Sequence, residues 1–271
     1  MCVIIASKGN ATPDREELWT GCTANPDGFG WSVLVDDGKA RRLITHRTME
    51  AREAIEDYLA TVDTHGETVV ASIFHARITT HGASSVENCH PWQVGNDPHS
   101  VLFHNGILSV DMARAAGRSD TGVFAGDVLP KMGGAWSFQN PDIRPILEDW
   151  STGSKLVMLT ARHDLEPLSF IGENRGTWQG ESWYSNSSCW LVSRSWTAPP
   201  ASTWQDNWSH EDIALYEDEL GPVLFMDGER MLCGECLEPA SEGAEECELC
   251  GVCFDCGLWD CACTSEALER I

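Results

Sequence analysis

The pattern of apolar and polar residues changes along the chain, and each change marks an element. Residues 2–7 (CVIIAS) form a short apolar run that reads as a strand. WSVLVDDGKARRLITH (31–46) reads as a β-hairpin turning at Asp37-Gly38. MEAREAIEDYLATV (49–62) sets Ala, Ile, Leu and Val at helical spacing with charges between them. ETVVASIFHAR (67–77) and HSVLFHNGI (99–107) predict strands buried on both faces, and Thr121–Met132 predicts a helix capped by Asp120. KLVMLTA (155–161), PLSFIG (167–172) and SCWLVS (188–193) predict three more strands. Strands that arrive mainly as hairpins, with helices between groups of them, point to an α+β fold of sheets covered by helices.

The composition shifts at TAPPASTWQDNWS (197–209), where two prolines and small polar residues mark the end of a first domain. The expected organisation is a domain over 1–200, a linker over 201–229 holding an acidic helix (HEDIALYEDELGP), and a Cys-rich module over 230–271. The charge is equally uneven. Asp and Glu number 42 against 18 Lys and Arg, a formal net charge of −24, and residues 209–271 hold 17 of the acidic side chains against Arg230 and Arg270. So acidic a chain repels phosphate backbones, so direct nucleic-acid binding is not expected. No apolar run approaches the length of a membrane span, and no basic region followed by an apolar one reads as a secretory signal, so a cytoplasmic protein is expected.

Eight of the twelve cysteines crowd into 233–263, as C-x2-C-x10-C-x2-C (Cys233, Cys236, Cys247, Cys250) and C-x2-C-x4-C-x-C (Cys253, Cys256, Cys261, Cys263). Two sets of four thiols match two structural Zn2+ sites with four thiolate ligands each, paired in sequence or crossed. Disulfides would need an oxidising compartment, and an iron–sulfur cluster fits the zinc-ribbon spacing less well. A module of this size cannot bury a core without such a staple.

Four stretches of the first domain carry groups suited to a small polar ligand: HARITTHG (75–82), VENCHPW (86–92), FHNGIL (103–108) and RSDTGVFA (118–125). A strand-end Arg suits bidentate capture of a carboxylate, and a nearby Asp suits an ammonium. An Asn side chain beside a Gly backbone N–H suits an oxyanion. Singly, each has a plainer reading: Asn-Gly as a turn, Ser-Asp-Thr as a helix cap, Arg as a surface charge. Cys2 adds a nucleophile. If Met1 is removed, Cys2 carries a thiol and a free α-amine, whose ordinary pKa of about 7.7–8.0 leaves part of it neutral and able to act as a base. Together these groups describe a site for an α-amino acid with a reactive side-chain carbonyl, which glutamine fits.

MCVIIA (1–6), NPDGFGW (25–31), ARITTHG (76–82), VENCHP (86–91), HNGIL (104–108) and SDTGVFA (119–125) together resemble, in order, a class II glutamine amidotransferase domain. This is the N-terminal-nucleophile glutaminase found in the amidophosphoribosyltransferase, glucosamine-6-phosphate synthase and asparagine synthetase families. WYSNSSCW (183–190) is similar to the shorter, stand-alone members. The resemblance implies a four-layer αββα sandwich of two mostly antiparallel sheets. It implies Cys2 as nucleophile, Asn105 and Gly106 as the oxyanion hole, Arg77 with Thr80 on the substrate carboxylate, and Asp120 on its ammonium. His81 matches a substrate-side motif position, where a packed, hydrogen-bonding histidine is the competing reading; His90, His104 and Asn88 are expected to be structural, and Asp27 and Gly28 to shape a loop beside the nucleophile. Where relatives often have Arg-Trp-Ala-Thr-His-Gly, this chain has Arg77-Ile78-Thr79-Thr80-His81-Gly82, a change in the loop over bound glutamine. The implied partners are L-glutamine and a separate synthase or ligase that accepts ammonia, since the residues after 208 are too few to fold one. The alternatives are an N-terminal-nucleophile amidase acting on another γ-glutamyl or peptide amide, and a non-catalytic zinc-bearing scaffold.

Overall fold

The computed structural model describes residues 2–79, 83–111, 117–190, 224–227 and 230–233. The chain divides into two compact units, Met1–Ser185 and Asn186–Ile271. In the first, the elements run β1 (Val3–Lys8), α1 (Arg15–Ala24), β2 (Phe29–Asp36), β3 (Arg41–Thr48), α2 (Ala51–His65), β4 (Val69–Ala76), β5 (Trp92–Val94) and β6 (Asp97–Asn105). They continue with α3 (Asp120–Val123), α4 (Arg144–Trp150), β7 (Lys155–Thr160), β8 (Leu168–Ile171), β9 (Thr177–Gln179) and β10 (Ser182–Tyr184). The second unit holds an antiparallel pair, β11 (Leu224–Asp227) and β12 (Arg230–Cys233).

Two antiparallel sheets form the first unit. One has the order β3-β2-β4-β1-β10-β9 and the other β5-β6-β7-β8. Period-two alternation assigns each strand residue to a face. Ile4 and Ala6 of β1, Ala71 and Ile73 of β4, Val101 and Phe103 of β6 and Val157 and Leu159 of β7 meet in one buried cluster between the sheets. The intervening Leu102, Leu156 and Met158 pack instead on Phe124, Leu129, Phe138 and Leu147 from the helical segment beyond the second sheet. Beyond the first sheet lies α2, whose Tyr58 ring packs 5.4 Å from Phe74 and 6.3 Å from Trp31 and whose hydroxyl bonds Ser72 Oγ at 2.8 Å. Helix α1 joins this layer, and Glu17 Oε2 accepts from the Tyr184 hydroxyl at 2.9 Å. The result is the expected four-layer αββα, α+β architecture. Each large apolar side chain buried in it contributes on the order of 1.5–3 kcal/mol.

The β2–β3 hairpin turns where expected. Asp36 Oδ1 accepts from Gly38 N, and Asp37 Oδ1 accepts from Lys39 N and Ala40 N, at 2.9–3.0 Å, with Gly38 at φ +78°.

Two elements differ from expectation. The segment from 120 is α-helical only to Val123, then π-helical over Phe124–Val128 and 3-10 over Leu129–Met132. Pro130 has no N–H to continue an α ladder, so the helix changes pitch ahead of it. Its cap is Ser119, whose side chain accepts from Gly122 N, while Asp120 is the first helical residue with its carboxylate engaged elsewhere. Of the strand expected at 188–193, residues 188–190 form a turn and 191–193 lie outside the described residues; a strand precedes them at Ser182–Tyr184. Asn186 Oδ1 accepts from Ser188 N at 3.1 Å and Trp190 N donates to Ser187 O at 2.8 Å, so short polar side chains turn the backbone here. The expected acidic helix at 210–222 lies outside the described residues. Among the described residues no helix is long and apolar enough to cross a membrane.

Candidate active site

Cys2 stands two residues before Ile4, on the face of β1 that looks between the sheets, and is half-buried. Its Sγ accepts from Ile78 N at 3.3 Å and lies 3.4 Å from Ile78 O, so it rests on the segment that leaves β4. Burial pushes the Cys2 thiol pKa up; donation from Ile78 N and the positive charges of the amino terminus and Arg77 oppose it.

Arg77 is buried at the end of β4, with Nη1 donating to Ala83 O at 3.1 Å. The loop at 25–28 clasps the same segment: Asp27 N donates to Arg77 O, Arg77 N donates to Gly28 O, and Asp27 Oδ2 accepts from Thr79 N at 2.6 Å. Gly28, at φ +127°, leaves no room for a side chain, since a Cβ would lie 2.3 Å from Cys89 Sγ. Thr80 and His81 lie outside the described residues.

Asn105 ends β6 with the parity of Val101 and Phe103, so it faces between the sheets, as Cys2 does. It is buried, and Nδ2 donates to Ser185 Oγ at 2.9 Å. Ser185 Oγ also accepts from Ile4 N at 2.8 Å, which ties Asn105 to the strand of Cys2. Gly106 follows at φ +135°, packed so that a Cβ would meet Ser154 Oγ at 2.5 Å. Asp120 is buried, and Oδ2 accepts from Leu108 N at 2.7 Å while Oδ1 accepts from Thr121 N at 2.8 Å. The ammonium candidate and the Asn105–Gly106 turn are thus one hydrogen-bonded piece.

Asn88 braces this piece. Its Nδ2 donates to Ala83 O and Gly117 O, and its Oδ1 accepts from Ser119 N, all at 2.9–3.1 Å. His104 faces the helices. Ser154 Oγ gives its only proton to Ile107 O and therefore accepts from His104 Nε2 at 3.0 Å, leaving Nδ1 to accept from Thr121 Oγ1 at 2.7 Å. This neutral tautomer agrees with a pKa lowered by burial to about 4. His75 Nε2 donates to His104 O at 3.2 Å across the sandwich, and burial lowers its pKa to about 3. The His90 ring packs 4.0 Å from that of His75, and burial likewise holds it well below its ordinary value.

The four groups therefore converge at the end of the sandwich where β1 starts and β4 and β6 finish. Ser185 and Ser154 were not singled out from the sequence; WYSNSSCW (183–190) held the signal for the first. Of the tail cysteines only Cys233 is described, as the last residue of β12; Cys236, Cys247, Cys250, Cys253, Cys256, Cys261 and Cys263 lie outside the described residues. Among the described residues one group has metal-ligand spacing, His46, Glu53 and Asp57, half-buried to exposed, with His46 Nε2 3.3 Å from Glu53 Oε1 and 3.9 Å from Asp57 Oδ2. A cavity of about 490 Å³, lined by Asp97, His99, Pro130 and Arg162, lies at the start of β6, the end opposite Asn105.

No protein-family model matches the chain, and no curated protein matches it. Among solved structures it is similar to a glutamine phosphoribosylpyrophosphate amidotransferase from B. subtilis complexed with ADP and GMP, at 19% identity, over 70% of this chain and 42% of that one, with a TM-score of 0.45. It is similar to an allosteric regulatory enzyme of purine biosynthesis at 14% identity, with coverage of 70% and 42% and a TM-score of 0.40. A glutamine aminotransferase class-II domain protein from Silicibacter pomeroyi matches at 15% identity, over 68% of this chain and 87% of that one, with a TM-score of 0.30. The chain thus spans less than half the length of the first two.

Proposed function

We propose that the first unit is a class II glutamine amidotransferase domain, a glutaminase that hydrolyses L-glutamine through a γ-glutamyl thioester on Cys2. The observation that carries the reading is the meeting of a thiol, a buried Arg, a buried Asp and an Asn-Gly turn at one end of the sandwich. Ile78 links the thiol to the Arg77 segment, Ser185 links its strand to Asn105, and Leu108 links the Asn-Gly turn to Asp120. Arg77 would hold the α-carboxylate with Thr80 and His81 beside it, and Asp120 would hold the α-ammonium. Retention of both charges favours free glutamine over a substituted amide.

In the proposed reaction Met1 has been removed and the α-amine of Cys2 takes the thiol proton. Sulfur attacks the side-chain amide carbon, and the oxyanion is held by Asn105 Nδ2 and Gly106 N–H. The C–N bond breaks as the α-ammonium returns the proton to the departing nitrogen, releasing ammonia. Water then cleaves the thioester, giving glutamate and free Cys2.

We place the ammonia acceptor on a separate amidating enzyme, and the protein in the cytoplasm, where its thiols stay reduced. For the tail we propose two structural Zn2+ on the eight cysteines, supported by their spacing and taking no part in the reaction. The acidic tail would suit a basic docking partner.

The test is glutamate release from L-glutamine by the purified full chain, with intact mass to establish Met1 removal. Release that disappears in Cys2→Ala is expected. A correctly processed protein that neither releases glutamate nor is labelled at Cys2 by a glutamine-mimicking electrophile would sink the reading.

A further inference from the structure

WYSNSSCW (183–190) has no role in the reaction above, yet its Ser185 is fully buried and joins the two sheets. Ser185 N donates to Ile4 O at 2.9 Å and Ser185 Oγ accepts from Ile4 N at 2.8 Å, so both backbone groups of Ile4 end on one residue. The same Oγ accepts from Asn105 Nδ2 at 2.9 Å. A hydroxyl oxygen has two lone pairs, and both are now taken. Among the described residues Asn105 Oδ1 has no hydrogen-bond partner and Nδ2 bonds Ser185, so that bond orients this buried amide. An amide nitrogen carries two hydrogens, and Ser185 takes one of them.

We propose that Ser185 is a positioning residue: it fixes the Asn105 amide relative to the strand that carries Cys2, so that the second Nδ2 hydrogen meets the reacting carbonyl oxygen. This rests on the glutaminase reading above. A preorganised donor stabilises the oxyanion only if its direction is set before charge develops. The strand that brings the nucleophile would thereby also bring the anchor of its oxyanion donor.

Two measurements on the full chain test this, comparing the parent with Ser185→Ala and Ser185→Thr. The first follows the Asn105 side-chain amide by 1H–15N NMR, assigned through Asn105→Ala. Ser185→Ala should shift its two proton signals and speed their exchange, whereas Ser185→Thr, which keeps the hydroxyl, should not. The second is steady-state kinetics. Ser185→Ala should lower kcat on the order of tenfold with KM for glutamine within about twofold, and Ser185→Thr should restore most of it. In an Asn105→Ala background the same change should lower kcat much less, because only the bond from Ile4 N is then lost. Unchanged amide signals in a folded Ser185→Ala protein, or an equal loss of kcat with and without Asn105, would overturn the proposal. A correctly processed parent that neither releases glutamate nor is labelled at Cys2 by the glutamine-mimicking electrophile would instead overturn the glutaminase reading, and the NMR arm would still decide the tether.

Discussion

Cys2 Sγ lies against both backbone groups of Ile78, 3.3 Å from its nitrogen and 3.4 Å from its oxygen. The thiol can use both, donating to the carbonyl and accepting from the amide, whereas a thiolate can only accept. Ionisation therefore gives up one contact and adds a charge in a buried setting, which agrees with a thiol pKa raised by burial. In chains that retain Met1, iodoacetamide should label Cys2 slowly at pH 7 and faster with a midpoint above that of an ordinary cysteine. Mass mapping of the labelled peptide against pH checks this; a midpoint at or below that of an ordinary cysteine would contradict it.

Arg77 is buried at the site, and its planar fork suits a carboxylate in a way that an ammonium does not. Arg77→Lys should raise KM for glutamine about 10- to 100-fold, the worth of one or two charge-assisted hydrogen bonds. The loss in kcat should be smaller. Kinetics across a wide glutamine range would read the split, and an unchanged KM would remove Arg77 from carboxylate binding.

Gly106→Ala meets two obstacles, a φ of +135° and Ser154 Oγ 2.5 Å from the new methyl. The turn must move, and its N–H with it. A fall in kcat on the order of 10²–10³ is expected, the usual cost of one oxyanion donor. Circular dichroism should remain close to the parent's. Full activity in this variant would mean that the Gly106 N–H does not serve the oxyanion.

The buried imidazoles make stability depend on pH. His75 is lowered to about 3 and His104 to about 4, with His90 well below its ordinary value, all chiefly by burial. The unfolded chain takes up these protons near pH 6.5 and the folded chain only at much lower pH, so below 6.5 the unfolded state binds more protons. Stability is therefore full above pH 6.5 and declines as pH falls, by roughly 1.4 kcal/mol per pH unit for each imidazole involved. Urea unfolding at pH 7, 6 and 5 should give a falling midpoint, less steep in His90→Phe. A flat midpoint would show that the folded protein accepts these protons.

For the tail, elemental analysis should find two zinc ions per chain, and chelation should expose eight additional thiols to a thiol reagent in the absence of reductant. Finding no metal, together with eight thiols already reactive, would count against the zinc sites.

The strands around the site were legible because they are short apolar runs buried on both faces, as at 2–7, 67–77 and 99–107. The helix at 121–132 was legible in existence but not in pitch, because its local composition favours helix while Pro130 interrupts the ladder. Asp120 reads as a cap from its position alone; only the fold brings Leu108 N to its carboxylate and leaves the cap to Ser119. The motif residues Cys2, Arg77, Asn105 and Asp120 carry their chemistry in their side chains and could be picked out as a set, though singly each has a plainer reading. What joins them could not. Ser185 meets Asn105 across 80 positions of sequence, and no local pattern records a hydrogen bond between two sheets.

The alternation along β1 makes the distance from Cys2 to Ile4 a matter of parity. Ile4 is locked to its neighbours, opposite His75 on one side and bonded to Ser185 on the other. Inserting one residue between Cys2 and Ile4 would turn the sulfur to the helix-covered face without altering any group in the site. Inserting two would restore its direction but carry it on the order of 6–7 Å along the strand axis. The geometry of the candidate site is thus encoded partly as a count of residues, and a single insertion would take it apart while leaving every motif intact.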